Sequence, residues 1–224
     1  MSSRLVLHYD IVSPWSYVAF VTLTRYVKLW NMEMELKPIN LGYVMKNAQN
    51  KPPLTVPNKG KHMGGEMVRA EQFFGLKLKM PKEFPFNSFP LQCALRVLQD
   101  DHPTRLHSAT AHFFQRVWSG EEFDLLSVEA VGAELKKWGE LSEGQVGEVV
   151  KRAGLKETRT LLNEEAKKLV EDGGAFGAPW IVTTRPDGRS VSFFGSDRTE
   201  QIAAFLEKPY KGPMADGRPS ASKL

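Results

Sequence analysis

Two β-prone stretches at opposite ends of the chain, separated by a long helical stretch, constrain the fold most. At the N-terminal end, residues 4–9 alternate as a strand does, residues 14–30 have apolar residues at helical spacing, and residues 32–38 alternate again. This β-α-β order favours two parallel strands joined by a right-handed crossover.

The C-terminal end supplies what the first end lacks. "PWIVTT", the turn "RPDG" and "RSVSFFG", over residues 179–195, predict a β-hairpin. A closing helix follows over 196–208, and Ser196 and Asp197 at its start are typical N-cap residues. Neither end makes a complete sheet, but together they make a four-stranded one.

The middle of the chain is predicted to be helical. Residues 39–62 contain three prolines and two glycines and are expected to form mostly a long loop. Residues 63–172 have helical spacing in five or six segments. The order resembles an α/β thioredoxin-like domain with an all-helical inserted domain, as in the DsbA-like branch. We expect a discontinuous thioredoxin-like domain at 1–62 and 173–210, a helical insertion at 63–172 and a flexible tail at 211–224.

Composition excludes several functions. The chain of 224 residues has a net charge of +4 with scattered basic residues, which argues against a nucleic-acid groove. It has no apolar run of transmembrane length. Its single cysteine, Cys93, cannot form an internal disulfide, and its five histidines lack metal-ligand spacing. We therefore expect no metal, no nucleic acid and no membrane span.

The junction of the first strand and helix is the first candidate site. Redox members of the thioredoxin-like fold have Cys-x-x-Cys there, whereas this chain has Ser13-Pro14-Trp15-Ser16. Serine cannot form a disulfide, so dithiol-disulfide exchange is excluded here. Ser13 is interpreted either as a helix cap or as a donor that stabilises a bound thiolate, which lowers the thiol pKa.

Two further features near the second β-rich stretch have a structural and a functional interpretation. Pro179 is either an ordinary strand-opening proline or a cis-proline that lets the backbone of Ala178 pair with an extended peptide. Ser196 and Asp197 are either plain N-cap residues or a site for the carboxylate and ammonium groups of an amino-acid terminus.

Four separated stretches together resemble the kappa-class glutathione transferases: "YDIVSPWSY", "NKPPLTVPNKG", "GAFGAP" and "FGSDR". The first and third are also similar to 2-hydroxychromene-2-carboxylate isomerases. The resemblance covers essentially the whole chain and implies a glutathione site. The implied glutathione-binding residues are Ser13, Pro14, Trp15, Asn50, Lys59, Ala178, Pro179, Ser196 and Asp197.

The resemblance also implies a role for each part of this site. Ser13 is the implied catalytic residue and faces the glutathione sulfur. Asn50 and Lys59 hold the glycine end, the backbone of Ala178 pairs with the cysteine part, and the pair at 196–197 holds the γ-glutamyl end.

Three functions remain open at this point. The first is a glutathione transferase that conjugates glutathione to small hydrophobic electrophiles or reduces organic peroxides. The second is a glutathione-dependent cis-trans isomerase of the hydroxychromene type, and the third is a thioredoxin-like binding module without catalysis. Candidates for the acceptor pocket, which are otherwise core residues, are Met63, Met67, Phe73, Phe74 and Trp118.

The chain end predicts a location. Ser222-Lys223-Leu224 is a peroxisomal signal that an import receptor recognises at the extreme C-terminus. The resembled class consists of homodimers found in mitochondria and peroxisomes. We therefore expect a peroxisomal homodimer, with mitochondria as the alternative location.

Overall fold

A four-stranded mixed sheet joins the two ends of the chain. The structure is a computed structural model and describes residues 2–215. The strands are β1 (Arg4–Tyr9), β2 (Met34–Pro38), β3 (Trp180–Thr184) and β4 (Ser190–Phe194), in the order β2-β1-β3-β4. β1 pairs in parallel with β2, and the other two pairings are antiparallel. The fold predicted from the sequence, a thioredoxin-like sheet with a helical insertion, is confirmed.

The helices cover the sheet and form the insertion. They are α1 (Pro14–Trp30), α2 (Leu41–Asn47), α3 (Pro57–Phe74), α4 (Phe89–Asp101), α5 (Pro103–Trp118), α6 (Val128–Trp138), α7 (Glu143–Gly154), α8 (Lys156–Glu171) and α9 (Thr199–Leu206). A short 3₁₀ helix, Pro53–Thr55, precedes α3.

The prediction that residues 39–62 form mostly a long loop is wrong. This segment contains α2, the 3₁₀ helix and the first residues of α3. Asn40 caps α2 through its side chain, which accepts a hydrogen bond from the Tyr43 backbone N–H at 3.1 Å. Pro57 lies in the first turn of α3, where the missing N–H costs nothing. The prolines interpreted as loop residues therefore begin helices.

The prediction that Ser196 and Asp197 begin the last helix is also wrong. They lie in a turn, and α9 begins at Thr199 without a side-chain cap. The chain first reverses direction after β4 at Gly195, whose φ of 105° is open to glycine and strained for other residues. The reversal separates the two polar side chains from the helix.

The insertion holds the edge of the sheet at which β1 and β2 end. The side-chain amide of Gln92 in α4 donates hydrogen bonds to the carbonyl oxygens of Tyr9 and Ile39, both at 2.8 Å. The indole N–H of Trp118 in α5 donates to the carbonyl oxygen of Ile11 at 3.0 Å. Both side chains are fully buried. The segment that leads into α1 is therefore fixed by the helical insertion as well as by the sheet.

The last described residues pack along α1. Trp30 donates its indole N–H to the Pro209 carbonyl at 2.9 Å, and Arg25 donates to the carbonyls of Phe74 and Pro213 at 2.8 and 3.0 Å. The beginning of the segment expected to be a flexible tail, residues 211–215, thus contacts α1. The Ser222–Leu224 signal lies outside the described residues.

Candidate functional site

A groove opens where the C-terminal ends of β1 and β2 meet the first turn of α1. It consists of a cavity of about 560 Å³ and an adjoining one of about 540 Å³. The two cavities share Trp15, Pro53, Ala178 and Phe194 in their walls, so we treat them as one Ser13 groove.

All of the predicted glutathione-binding residues line this groove. The first cavity contains Ser13, Pro14, Trp15, Asn50, Lys59 and Ala178. The second contains Trp15, Ala178, Pro179, Ser196 and Asp197. Residues from four distant parts of the sequence thus come together on one surface.

Ser13 caps α1 with a lone pair of its oxygen and uses its proton in a separate hydrogen bond. Its side-chain oxygen accepts a hydrogen bond from the Ser16 backbone N–H at 3.1 Å, and its hydroxyl donates to the Ala178 carbonyl at 3.3 Å. The second bond is long, and only 5% of the residue is exposed. Because a cap uses only a lone pair of the oxygen, the two interpretations of Ser13 are compatible.

The backbone next to Ser13 adds a second donor. Pro14 has no N–H, so the first N–H of α1 belongs to Trp15. The positive end of the helix dipole lies at the same place. An anion above Ser13 therefore meets a hydroxyl, a backbone N–H and a helix N-terminus together.

The segment before β3 forms the wall opposite α1. The Ala178-Pro179 peptide bond is cis, as the resemblance implies. Phe176 packs on Phe194 with ring centroids 4.5 Å apart, and a Cβ at Gly177 would lie 2.9 Å from the Phe194 ring, so this packing needs glycine. The Asn50 side chain donates to the Phe176 carbonyl at 2.7 Å, which joins the segment before α3 to this wall.

The apolar part of the groove is only partly the predicted one. Met63 lines the first cavity, and Phe73 and Phe74 line the second. Met67 and Trp118 are core residues, which is the alternative that the sequence favoured, and neither lines the groove. The groove also contains apolar residues that sequence reasoning missed, namely Leu41, Met45, Phe84, Phe86, Phe89, Phe176 and Phe194. Three of these belong to "FPFNSFP", an aromatic and proline-rich stretch that runs into the first residues of α4.

A buried acid beneath the groove was also missed as a site residue. Asp10 is 1% exposed, and its carboxylate accepts hydrogen bonds from the backbone N–H groups of Val12 at 3.1 Å and Leu41 at 3.0 Å. Burial raises its pKa to about 6, although these bonds and one from Ser88 favour the charged form. An acid directly after an apolar strand is the sequence signal that could have found it.

Residues 2–215 contain no cluster of three or more histidine, cysteine, aspartate or glutamate side chains arranged to hold a metal ion. No helix in the same range has the length and apolarity needed to cross a membrane.

Comparison with known proteins gives the class. The chain belongs to the family described as the DSBA-like thioredoxin domain, whose model matches residues 4–207. It is 32% identical over 213 residues to glutathione S-transferase kappa 1 of Homo sapiens, which covers 93% of this chain and 92% of the relative. It is 28% identical over 230 residues to glutathione s-transferase kappa 2 of Caenorhabditis elegans, covering 99% of this chain and 100% of the relative. Within the DsbA-like family, the chain is a member of the glutathione S-transferase kappa group, and the predicted family is confirmed.

Solved structures agree on the fold. A 2-hydroxychromene-2-carboxylate isomerase superposes with a TM-score of 0.72 at 15% identity, covering 91% of this chain and 94% of that one. The cytosolic disulfide reductase DsbM from Pseudomonas aeruginosa superposes with a TM-score of 0.58 at 18% identity, covering 91% and 97%. At these identities the likeness concerns the fold alone.

Proposed function

We propose that the protein is a kappa-type glutathione transferase that binds glutathione in the Ser13 groove and uses its thiolate as a nucleophile. Curated relatives across nearly the whole chain are named glutathione S-transferase kappa, which supports the transferase class. The residues implied by the resemblance share one groove, which supports the assignment of the site.

One observation carries the mechanism: the helix cap uses a lone pair of the Ser13 oxygen, so the hydroxyl proton is engaged only by one weak hydrogen bond. This bond runs from the hydroxyl to the Ala178 carbonyl and is long, at 3.3 Å. A bound thiolate is a charged acceptor and makes a stronger bond with the hydroxyl than a neutral thiol does. The hydroxyl therefore favours the thiolate and lowers the pKa of the bound thiol.

The rest of the groove suits the tripeptide. Release of the Ser13 bond leaves the Ala178 carbonyl free to pair with the backbone of an extended peptide. Lys59 in the first cavity provides a positive charge for the glycine carboxylate. Asp197 in the second cavity provides a negative charge for the γ-glutamyl ammonium group.

The chemistry follows from a sulfur nucleophile beside an apolar wall. With an aryl halide, the thiolate sulfur bonds to the ring carbon, the carbon–halogen bond breaks, and the halide leaves with the electron pair. With an organic peroxide, the sulfur attacks the O–O bond, giving an alcohol after protonation and the sulfenic acid of glutathione. A second glutathione then converts the sulfenic acid into glutathione disulfide and water.

The isomerase alternative uses the same thiolate and returns glutathione unchanged after a transient adduct. It differs in the product, so product analysis distinguishes it. A cis-trans isomerase consumes no glutathione during turnover, whereas a transferase consumes one glutathione for each conjugate formed.

The experiment is a calorimetric titration of the protein with glutathione, followed by ultraviolet titration of the thiolate band of the complex from pH 5 to 9. We expect binding and a thiol pKa at least one unit below the free value of about 8.5. S-methylglutathione is the control, because it retains both charged ends but cannot form a thiolate. Absence of binding, or an unshifted thiol pKa, contradicts the proposal and favours a non-catalytic binding module.

We further propose that the protein acts as a homodimer in peroxisomes. The terminal Ser222-Lys223-Leu224 sequence supports recognition by a peroxisomal import receptor, and the family resemblance supports the dimer. Light scattering of the purified full chain tests the dimer, for which we expect twice the chain mass of 25.2 kDa.

A further inference from the structure

We propose that the buried carboxylate of Asp10 is a positioning residue that holds Ser13 and two other parts of the groove wall in place. The inference rests on the proposed function, because the position of Ser13 affects turnover only if Ser13 acts on glutathione.

Asp10 connects three segments that are distant in sequence. One carboxylate oxygen accepts from the N–H of Val12 at 3.1 Å, and the other accepts from the N–H of Leu41 at 3.0 Å, at the start of α2. Ser88, at the start of α4, donates a third hydrogen bond from its side chain. Val12, Leu41 and Ser88 all line the first cavity of the Ser13 groove.

The backbone of the same residue reaches Ser13 directly. The Ser13 N–H donates to the Asp10 carbonyl at 3.0 Å, so Asp10 holds the tight turn between β1 and α1 from both its main chain and its side chain. Ser88 is at the N-cap position of α4 but makes no side-chain cap bond. Its hydroxyl is instead directed at Asp10, although a cap is the ordinary use of such a serine.

The hydrogen-bond pattern favours the charged form. The N–H groups of Val12 and Leu41 can only donate, and an ionised carboxylate accepts from both and from the Ser88 hydroxyl at once, whereas protonation reverses or removes the bond from Ser88. Within residues 2–215 no salt bridge includes Asp10, so donors alone stabilise the buried charge. Tyr9 is a titratable neighbour whose charge would interact with that of Asp10, but its hydroxyl is hydrogen-bonded to the Thr110 hydroxyl.

Asp10 acts by fixing the position of Ser13 and not by the electrostatic effect of its charge on the bound thiol. A negative charge under the groove disfavours a second negative charge within it, so its field alone would raise the pKa of a bound thiol.

With a pKa of about 6, Asp10 is ionised at neutral pH and becomes protonated as the pH falls below 6. We therefore expect the turn that holds Ser13 to loosen in that range.

The structure provides a reporter of this movement that needs no glutathione. The Trp118 indole N–H donates to the carbonyl of Ile11, next to Asp10 in the same turn. In the unliganded full chain, we expect the NMR signal of this indole to shift with a midpoint near pH 6. Asp10→Asn removes the titration, and Ser88→Ala moves its midpoint upward, because one donor to the charged form is lost.

Two further variants control for loss of folding and for pH effects that do not involve Asp10. Ser88→Ala keeps the carboxylate and both backbone donors, so it remains informative if Asp10→Asn fails to fold. Asp100→Asn is the matched control, because Asp100 lies in α4 and pairs with Arg96 rather than with the groove. A titration that is unchanged in Ser88→Ala, or equally present in Asp10→Asn, overturns the proposal.

A second measurement, made on the glutathione complex, distinguishes an effect of Asp10 on the position of Ser13 from an electrostatic effect of its charge on the thiol. If Asp10 positions Ser13, Asp10→Asn raises the pKa of the bound thiol and lowers turnover about tenfold or more. If Asp10 acted through its charge, the same variant would lower the thiol pKa, and the positioning role would be refuted. If glutathione does not bind the unmodified protein, the proposed function fails, while the indole titration still decides the inference about Asp10.

Discussion

Ser13→Ala distinguishes the two roles of one oxygen atom, because loss of the cap lowers protein stability whereas loss of thiolate stabilisation raises the pKa of the bound thiol. Loss of the bond from the Ser16 N–H at 3.1 Å removes an N-cap, which costs about 1 kcal/mol of protein stability. Loss of a hydrogen bond to a charged sulfur costs about 1.5 to 3 kcal/mol in the complex. Since one pKa unit is about 1.4 kcal/mol, the bound thiol pKa is expected to rise by about one to two units.

The matched control is Ser127→Ala in α6. Ser127 caps its helix in the same way, accepting from the Ala130 N–H at 3.1 Å, but it does not line the Ser13 groove. Both variants should lose about 1 kcal/mol in urea denaturation. Only Ser13→Ala should lower turnover with an aryl halide, by about ten- to a hundredfold, with a smaller change in glutathione affinity.

The assay is steady-state kinetics together with ultraviolet titration of the bound thiol for both variants. If Ser13→Ala keeps turnover and thiol pKa within about twofold and 0.3 units of the unmodified protein, the hydroxyl does not stabilise a thiolate. The argument from its weakly bonded proton is then refuted, and Ser13 is only a cap. Equal losses of turnover in the two variants would show that the effect is one of stability.

Three further predictions concern stability and location. Burial lowers the pKa of His8 to about 4, so the unfolded chain binds its proton more readily and stability is lost as the pH falls from 6.5 to 4. We expect His8→Gln to reduce that loss by about 2 kcal/mol at pH 4.5 in urea denaturation; a parallel pH dependence would contradict it. Gln92→Leu leaves the Ile39 carbonyl without its side-chain donor and the Tyr9 carbonyl with only the Ile39 N–H, and should cost about 1 to 3 kcal/mol by the same method, whereas a change below about 0.5 kcal/mol would show that other donors replace the amide. Deletion of residues 222–224 should leave activity intact and move a fluorescent fusion from peroxisomes to the cytosol, and continued import would remove the assigned signal.

The sheet could be predicted because each strand has a local signal. Alternation at residues 4–9 and 32–38 and the turn at 185–188 are local patterns, and the observed strands lie on them, although their pairing is long-range. The segment at 39–62 could not be predicted, because its prolines and glycines are compatible with both loops and helix starts. The capping contact of Asn40 and the backbone bond from the Thr55 N–H to the Pro52 carbonyl at 3.0 Å close the helical turns that are observed.

The predicted site residues depended on the family resemblance and on four separated motifs. Residues that the motifs do not contain were missed, as with Phe84 and Phe86, because only the three-dimensional path of the chain brings them to the groove. Trp118 illustrates a choice that the sequence could not make. Its size and aromaticity suit an acceptor pocket equally well, but its indole N–H is used inside the core to hold the carbonyl of Ile11.

The order of strands in the sheet has a consequence for how the protein is made. β1 pairs with β3 so that Leu5 lies opposite Thr183, and the whole helical insertion is synthesised between them. A ribosome therefore completes all six inserted helices, α3 to α8, before the antiparallel neighbour of β1 exists. A chain that stops short of Trp180 leaves one side of β1 unpaired, and an open strand edge attracts other chains. A chain that terminates before its last fifth, which contains β3 and β4, is therefore expected to aggregate.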